Sequence, residues 1–151
     1  MYKKILLPTD GSLNSKRAGK HAVKLADPQG QIIILHVIEG YNLQTGVLPI
    51  STLPNPDESL FEDLETEGKQ ILKELKQELS IECPDKSDSL NFTRLIREGK
   101  PYLEILKIMD EENVDLVVMG ASGRHGFDRV ILGSVTERVV REASKPLLII
   151  P

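Results

Sequence analysis

Five short apolar runs, each separated from the next by residues of helical spacing, constrain this chain more than any other feature. They are Lys4–Leu7, Gln31–Ile38, Asn91–Ile96, Asp115–Met119 and Leu147–Ile150. Most are near-continuous Ile, Val and Leu rather than strict polar alternation, the pattern of strands covered on both faces. Between them, Ala18, Ala22, Val23 and Ala26 form a stripe within Ser12–Ala26, and Leu60, Leu64, Ile71, Leu72, Leu75 and Leu79 mark a long helix over Glu58–Ile81. Pro101 opens a third helix with Leu103, Ile105, Leu106 and Met109 on its apolar face. A fourth covers Ser134–Ala143 through Val135, Val139 and Ala143. Alternation that begins and ends on a strand predicts parallel pairing through right-handed crossovers, hence one doubly wound α/β domain over residues 1–151 without internal repeats.

Two stretches interrupt the alternation. Glu39–Pro56 reads as a long connection carrying Pro49, Pro54 and Pro56, with Val47, Leu48, Ile50 and Leu53 apolar enough to pack against something. Connections of that length in compact domains are usually functional or mobile. Cys83–Ser89, polar and containing Pro84, reads as a turn. The long helix is acidic in its first turns and carries Lys69, Lys73 and Lys76 later, which suits its dipole.

Composition removes several function classes. Of the 151 residues, 40% are hydrophobic and 28% charged, which is enough apolar content for a packed core. The net charge of −4 and the absence of Trp argue against a nucleic-acid binder, which would need a basic face or an aromatic platform. Cys83 is the sole cysteine, so no internal disulfide forms, and a reducing compartment fits. No run approaches the ~20 apolar residues of a membrane span. The run behind Met1-Tyr2-Lys3-Lys4 is too short for a signal-peptide core, and the expected location is the cytoplasm.

In open parallel sheets ligands bind beyond the carboxyl ends of the strands, where strand order reverses. After the first run stands Pro8-Thr9-Asp10-Gly11-Ser12, with Asp10 at the strand end and Ser12 suited to cap the next helix. After the fourth stands Gly120-Ala121-Ser122-Gly123-Arg124-His125-Gly126, and later Gly133-Ser134-Val135-Thr136. Glycines let backbone N–H groups approach a phosphate, and a helix opening at Ser134 presents free amides to an anion. Ser134-Val135-Thr136-Glu137 has the form of a capping box, which accounts for Ser134 and Glu137 but not for the glycines upstream. The chain has neither a Walker loop nor a dinucleotide fingerprint after its first strand. His36, in an otherwise apolar run, is expected to be a hydrogen-bonded core residue, His21 to face solvent, and the Lys16–Lys24 cluster to be a solvated face.

Gly120-x2-Gly123-x9-Gly133-Ser134 resembles the nucleotide-binding signature of the ATP-binding branch of universal stress proteins. The likeness spans the chain: Lys3-Lys4-Ile5-Leu6-Leu7-Pro8-Thr9-Asp10-Gly11-Ser12 is similar to that family's opening, Leu35-His36-Val37-Ile38 to its second strand, and Lys145-Pro146-Leu147-Leu148-Ile149-Ile150 to its close. The resemblance implies a Rossmann-like sheet of the adenine nucleotide alpha hydrolase-like type in the order 3-2-1-4-5. It further implies that Pro8, Thr9 and Asp10 line the nucleoside pocket and that Val37 meets adenine. Met119 and Gly120 would border the ribose, and Gly123, Gly133, Ser134, Val135 and Thr136 would hold the phosphates of ATP. Arg124 would add charge, and Asp10 is the one candidate for Mg2+ or Mn2+. A homodimer paired through Leu147–Ile150 is implied too, and an uncovered apolar edge strand gives it a physical reason.

The functional expectation is a nucleotide-dependent switch acting through a protein partner, because a phosphate cradle occurs here without an evident catalytic set. The alternative is a slow or partner-stimulated ATPase, for which Asp10 is thin support. Thr9-Asp10-Gly11-Ser12 echoes the phosphate loop of ATP pyrophosphatases only faintly. A phospho-acceptor receiver domain is excluded, since the third strand leads into Leu95-Ile96-Arg97-Glu98-Gly99 with no acceptor Asp.

Overall fold

The computed structural model describes residues 1–39, 41–43, 46–48, 58–122 and 132–151, the backbone alone at 41–43, 46–48 and 58–59. The elements run β1 (Tyr2–Pro8), α1 (Leu13–Leu25), β2 (Ala26–Ile38), β3 (Tyr41–Leu43), β4 (Gly46–Leu48), α2 (Glu58–Glu82), α3 (Pro84–Ser87), β5 (Asn91–Glu98), α4 (Pro101–Glu111), β6 (Leu116–Gly120), α5 (Ser134–Glu142) and β7 (Leu147–Ile150). Five strands form one all-parallel sheet in the order β5-β2-β1-β6-β7, the expected 3-2-1-4-5 when the sheet strands are counted along the chain.

β1 lies at the centre, and its alternating side chains feed two cores. Ile5 and Leu7 point toward α1 and α2, where they meet Ala18, Ala22, Val23, Leu72, Leu75 and Leu79. Leu6 points the other way, into the layer of Ile105, Ile108, Met109 and Val139 from α4 and α5. Ile5, Leu6 and Leu7 are all fully buried. Burying such a side chain is worth about 1.5–3 kcal/mol, so this short strand alone anchors both layers. α1 comes close because its inner face is small: a Cβ on Gly19 would stand only 3.1 Å from Leu79 and 3.4 Å from Leu7.

Three expectations change. β2 starts at Ala26 rather than Gln31, because Asp27-Pro28-Gln29-Gly30 continues the strand through an irregular register between Tyr2↔Ala26 and Lys4↔Gln31. The stretch Cys83–Ser89 contains a single helical turn opened by Pro84, whose missing N–H is no loss at a first helical position. Within Glu39–Pro56, β3 and β4 pair antiparallel as a short ribbon; Gly40, 44–45 and 49–56 lie outside the described residues.

The lysines of α1 are likewise not simply solvated. α2 runs on to Glu82, so its last turn lacks a basic residue of its own. Lys16 reaches Glu78 at 3.1 Å and Lys20 reaches Glu82 at 2.6 Å, bringing positive charge from α1 to the acidic end of α2. The hydrogen bond to Glu82 raises the pKa of Lys20. His21 is exposed, as expected.

At the amino-terminal end of the sheet, Asp115 ties β1 to β6. Its Oδ2 accepts from the backbone N–H groups of Lys3 and Lys4 at 3.0 and 2.9 Å, while its own N–H donates to Lys4 O at 2.8 Å. Gly30 sits in the irregular part of β2, where an added Cβ would be 2.9 Å from Asp27 O and 3.0 Å from Lys3 O. Both obstacles are backbone. Gly30→Ala is therefore expected to destabilise the protein by about 1–3 kcal/mol, the usual cost of overpacking, read as a lower denaturation midpoint with an unchanged slope.

Candidate functional site

A cavity of about 610 Å3 opens beyond the carboxyl ends of β1, β2 and β6. The volume is that of a small-molecule site. Leu35, Val37, Ile38, Ile105 and Met119 give it an apolar wall, and Leu64 and Glu67 of α2 stand at its margin. Its polar end is formed by the turn after β1, by Gly120 at the end of β6 and Ser122 beyond it, and by the first turn of α5.

The β1 turn is held by its own hydroxyls. Ser12 caps α1, its side chain accepting from Ser15 N, and the Asp10 carboxylate accepts from Ser12 N at 2.9 Å. Gly11 follows at φ +81°, a conformation that favours glycine. Buried Thr9 shares a 2.9 Å hydrogen bond with Ser15 and accepts from Gly11 N. Its carbonyl lies 3.0 Å from His36 Nδ1. A carbonyl only accepts, so Nδ1 carries the proton. His36 is thus hydrogen-bonded, as expected, and it also lines the cavity. The ring has room because α2 presents Gly68 to it: a Cβ there would fall 2.8 Å from His36 Cδ2.

The α5 end departs from the capping box expected of Ser134. The helix does open at Ser134, but its N-cap is Gly133, at φ −62°, ψ 159° and with no side-chain cap. The first amides of α5 therefore have no capping oxygen from the cap residue, and they belong to the cavity's polar end. Gly133 N donates to Ala121 O at 2.7 Å, which joins α5 to the end of β6. Thr136 is buried, and its hydroxyl donates to Gly120 O at 2.9 Å, so its first role is to fix the α5–β6 junction.

Of the residues singled out from sequence, Pro8, Thr9, Asp10, Val37, Met119, Gly120, Gly133, Ser134, Val135 and Thr136 all line this one cavity. Gly123 and Arg124 lie outside the described residues. Sequence reasoning passed over Ser15, Ser122, Leu64 and Glu67, which also line it. Ser122 had a signal, standing inside the glycine-rich stretch; Leu64 and Glu67 had none, because only the docking of α2 brings them there. Among the described residues no three His, Cys, Asp or Glu side chains cluster as a metal site. No described helix is long and apolar enough to cross a membrane.

The family model described as the universal stress protein family matches residues 1–151. The chain belongs to the universal stress protein family. It is similar to universal stress protein MJ0531 of Methanocaldococcus jannaschii, at 35% identity over 99% of this chain and 82% of the relative. Its fold matches the solved structure of MJ0577 from the same organism, with a TM-score of 0.79, 33% identity and coverage of 99% and 96% of the two chains. A universal stress protein from Archaeoglobus fulgidus, solved in complex with dAMP, shares the fold at a TM-score of 0.66 and 19% identity, over 99% of this chain and 98% of that one.

The Gly68–His36 contact can be tested. Gly→Ala inside a helix gains about 1 kcal/mol in propensity, whereas overpacking against a ring costs about 1–3 kcal/mol. The steric cost prevails: Gly68→Ala is expected to lower the melting temperature. It should also move the His36 ring resonances in NMR spectra, since the ring must yield its bond to Thr9.

Proposed function

We propose that this universal stress protein binds ATP in the cavity above β1, β2 and β6 and serves as a nucleotide-dependent switch. One observation carries the reading: a cavity with an apolar wall meets, at its polar end, a helix whose N-cap is a glycine. An apolar slot suits a base, and an N-terminus without a side-chain cap suits the phosphates, which would take the place of a capping oxygen. Val37 would flank adenine, Asp10 the ribose, and Gly133, Ser134 and Val135 the phosphates, with Gly123 and Arg124 adding to the phosphate contacts. The Archaeoglobus protein of the same fold, which holds dAMP, supports the reading at the level of the fold. Mg2+ or Mn2+ accompanying the nucleotide would take Asp10 from the protein and its other ligands from phosphate and water, the usual manner of Mg2+.

Switching would follow from a difference in nucleotide affinity between two states of the surface around the cavity, read by a protein partner in the cytoplasm. A homodimer through Leu147–Ile150 fits this picture. Among the described residues β7 forms one edge of the five-stranded sheet and pairs only with β6, leaving an apolar edge to be covered.

Calorimetric titration with ATP and GTP, with and without magnesium, tests the reading, and micromolar binding of ATP is expected. Gly133→Asp separates ligand from fold. The backbone at Gly133 admits any residue, and Asp is a better N-cap than Gly by a few tenths of a kcal/mol, so melting should hold or rise. The carboxylate would occupy the phosphate position, and like charges a few Å apart cost on the order of 1–4 kcal/mol, so ATP affinity should fall about tenfold or more. A Gly133→Asp protein that binds ATP as the wild type does would place the phosphates elsewhere.

A further inference from the structure

The two polar loops of the cavity are joined by a side chain that lies outside the glycine pattern. Asn14, half-buried in the first turn of α1, has its Nδ2 3.1 Å from Ser122 O and 2.8 Å from Ser122 Oγ. The carbonyl fixes the orientation of the amide. Only an N–H can face a carbonyl oxygen, so it is the Nδ2 side of the amide, the donor side, that is turned to Ser122. The approach is tight: a Cβ on Gly120 would lie 2.9 Å from Asn14 Cβ and 3.1 Å from its carbonyl carbon, so the end of β6 rests directly on this turn.

The consequence for Ser122 is chemical. A hydroxyl carries one donor and two acceptor positions. Because Asn14 donates to Oγ, the hydroxyl proton of Ser122 is left to seek another acceptor, and no described residue takes it. Ser122 lines the cavity, and the bond from Gly133 N to Ala121 O sets it beside the first turn of α5.

We propose that Ser122 donates its hydroxyl to a phosphate oxygen of the bound nucleotide and that Asn14 is the positioning residue that turns it there. This rests on the nucleotide reading above and adds to it a phosphate donor and its support, one from each loop. Asn14 acts on the phosphate end only. Its loss should weaken ligands that have phosphates and spare those that do not, a split that a merely structural link between α1 and β6 would not produce.

The test is calorimetric titration of wild type, Asn14→Ala, Ser122→Ala and the double variant with ATP and with adenosine, alongside thermal melts. Each single variant is expected to lose ATP affinity by about ten- to a hundredfold, the scale of one hydrogen bond to a charged group. Adenosine affinity should stay within about twofold, and the double variant should fall short of the product of the two losses because the residues act as a pair. Unchanged ATP affinity in Asn14→Ala, or equal losses for ATP and adenosine, would overturn the proposal while leaving the nucleotide site standing. Wild-type protein that binds neither ligand would overturn the nucleotide reading itself, and this proposal with it. Should Asn14→Ala not fold, Asn14→Asp carries the same test: its carboxylate takes the Ser122 proton for itself, so ATP should again be weakened selectively.

Discussion

β1 is paired on both edges and buried on both faces, and the remaining elements are arranged around that condition. Its neighbours β2 and β6 run parallel to it, so all three strands deliver their carboxyl ends to the same place. Residues from near the start of the chain, Pro8 to Ser15, thereby stand beside residues from near its end, Ser122 and Gly133 to Thr136. Leu64 and Glu67 reach the cavity through the docking of α2, but these two loops need no such recruitment. The ladder brings them together, with right-handed crossovers placing α1 and α2 on one face and α4 and α5 on the other.

The rim of the cavity is preorganised by short polar contacts. Thr9, Ser12 and Ser15 bond among themselves, His36 holds the Thr9 carbonyl, and Thr136 holds that of Gly120. Among the described residues no buried side-chain polar atom lacks a partner. Such networks fix geometry before a ligand arrives, which lowers the ordering cost of binding.

How far the sequence led depended on range. Strands buried on both faces announce themselves as apolar runs, and the alternation of runs with helical stripes led to the sheet. The start of β2 was hidden because Asp27-Pro28-Gln29-Gly30 has the composition of a turn, while Gly30 is there for a close approach of backbones. The start of α5 at Ser134 was legible, but its cap was not: Ser-x-x-Glu signals a cap only when the Ser itself occupies the N-cap, and here extended backbone puts Gly133 in that position. Ten of the twelve candidate site residues line one cavity because they lie at or just beyond the carboxyl ends of β1, β2 and β6 or at the start of α5, where the topology dictates convergence. Pairs such as Asn14 with Ser122, or His36 with Gly68, depend on distances between elements, and no local pattern encodes them.

The Asp115 clamp makes the two ends of the sheet mechanically unlike. At the amino-terminal end one carboxylate binds two consecutive β1 amides, and the Lys4 ammonium reaches back to the carbonyl and carboxylate of Glu112. The strands are stitched there as pages are at a spine. At the other end they part around a cavity. Slow breathing of the sheet should accordingly be a fanning motion, small at the stitched margin and growing toward the cavity, with amide exchange along β1 graded from Lys4 to Thr9.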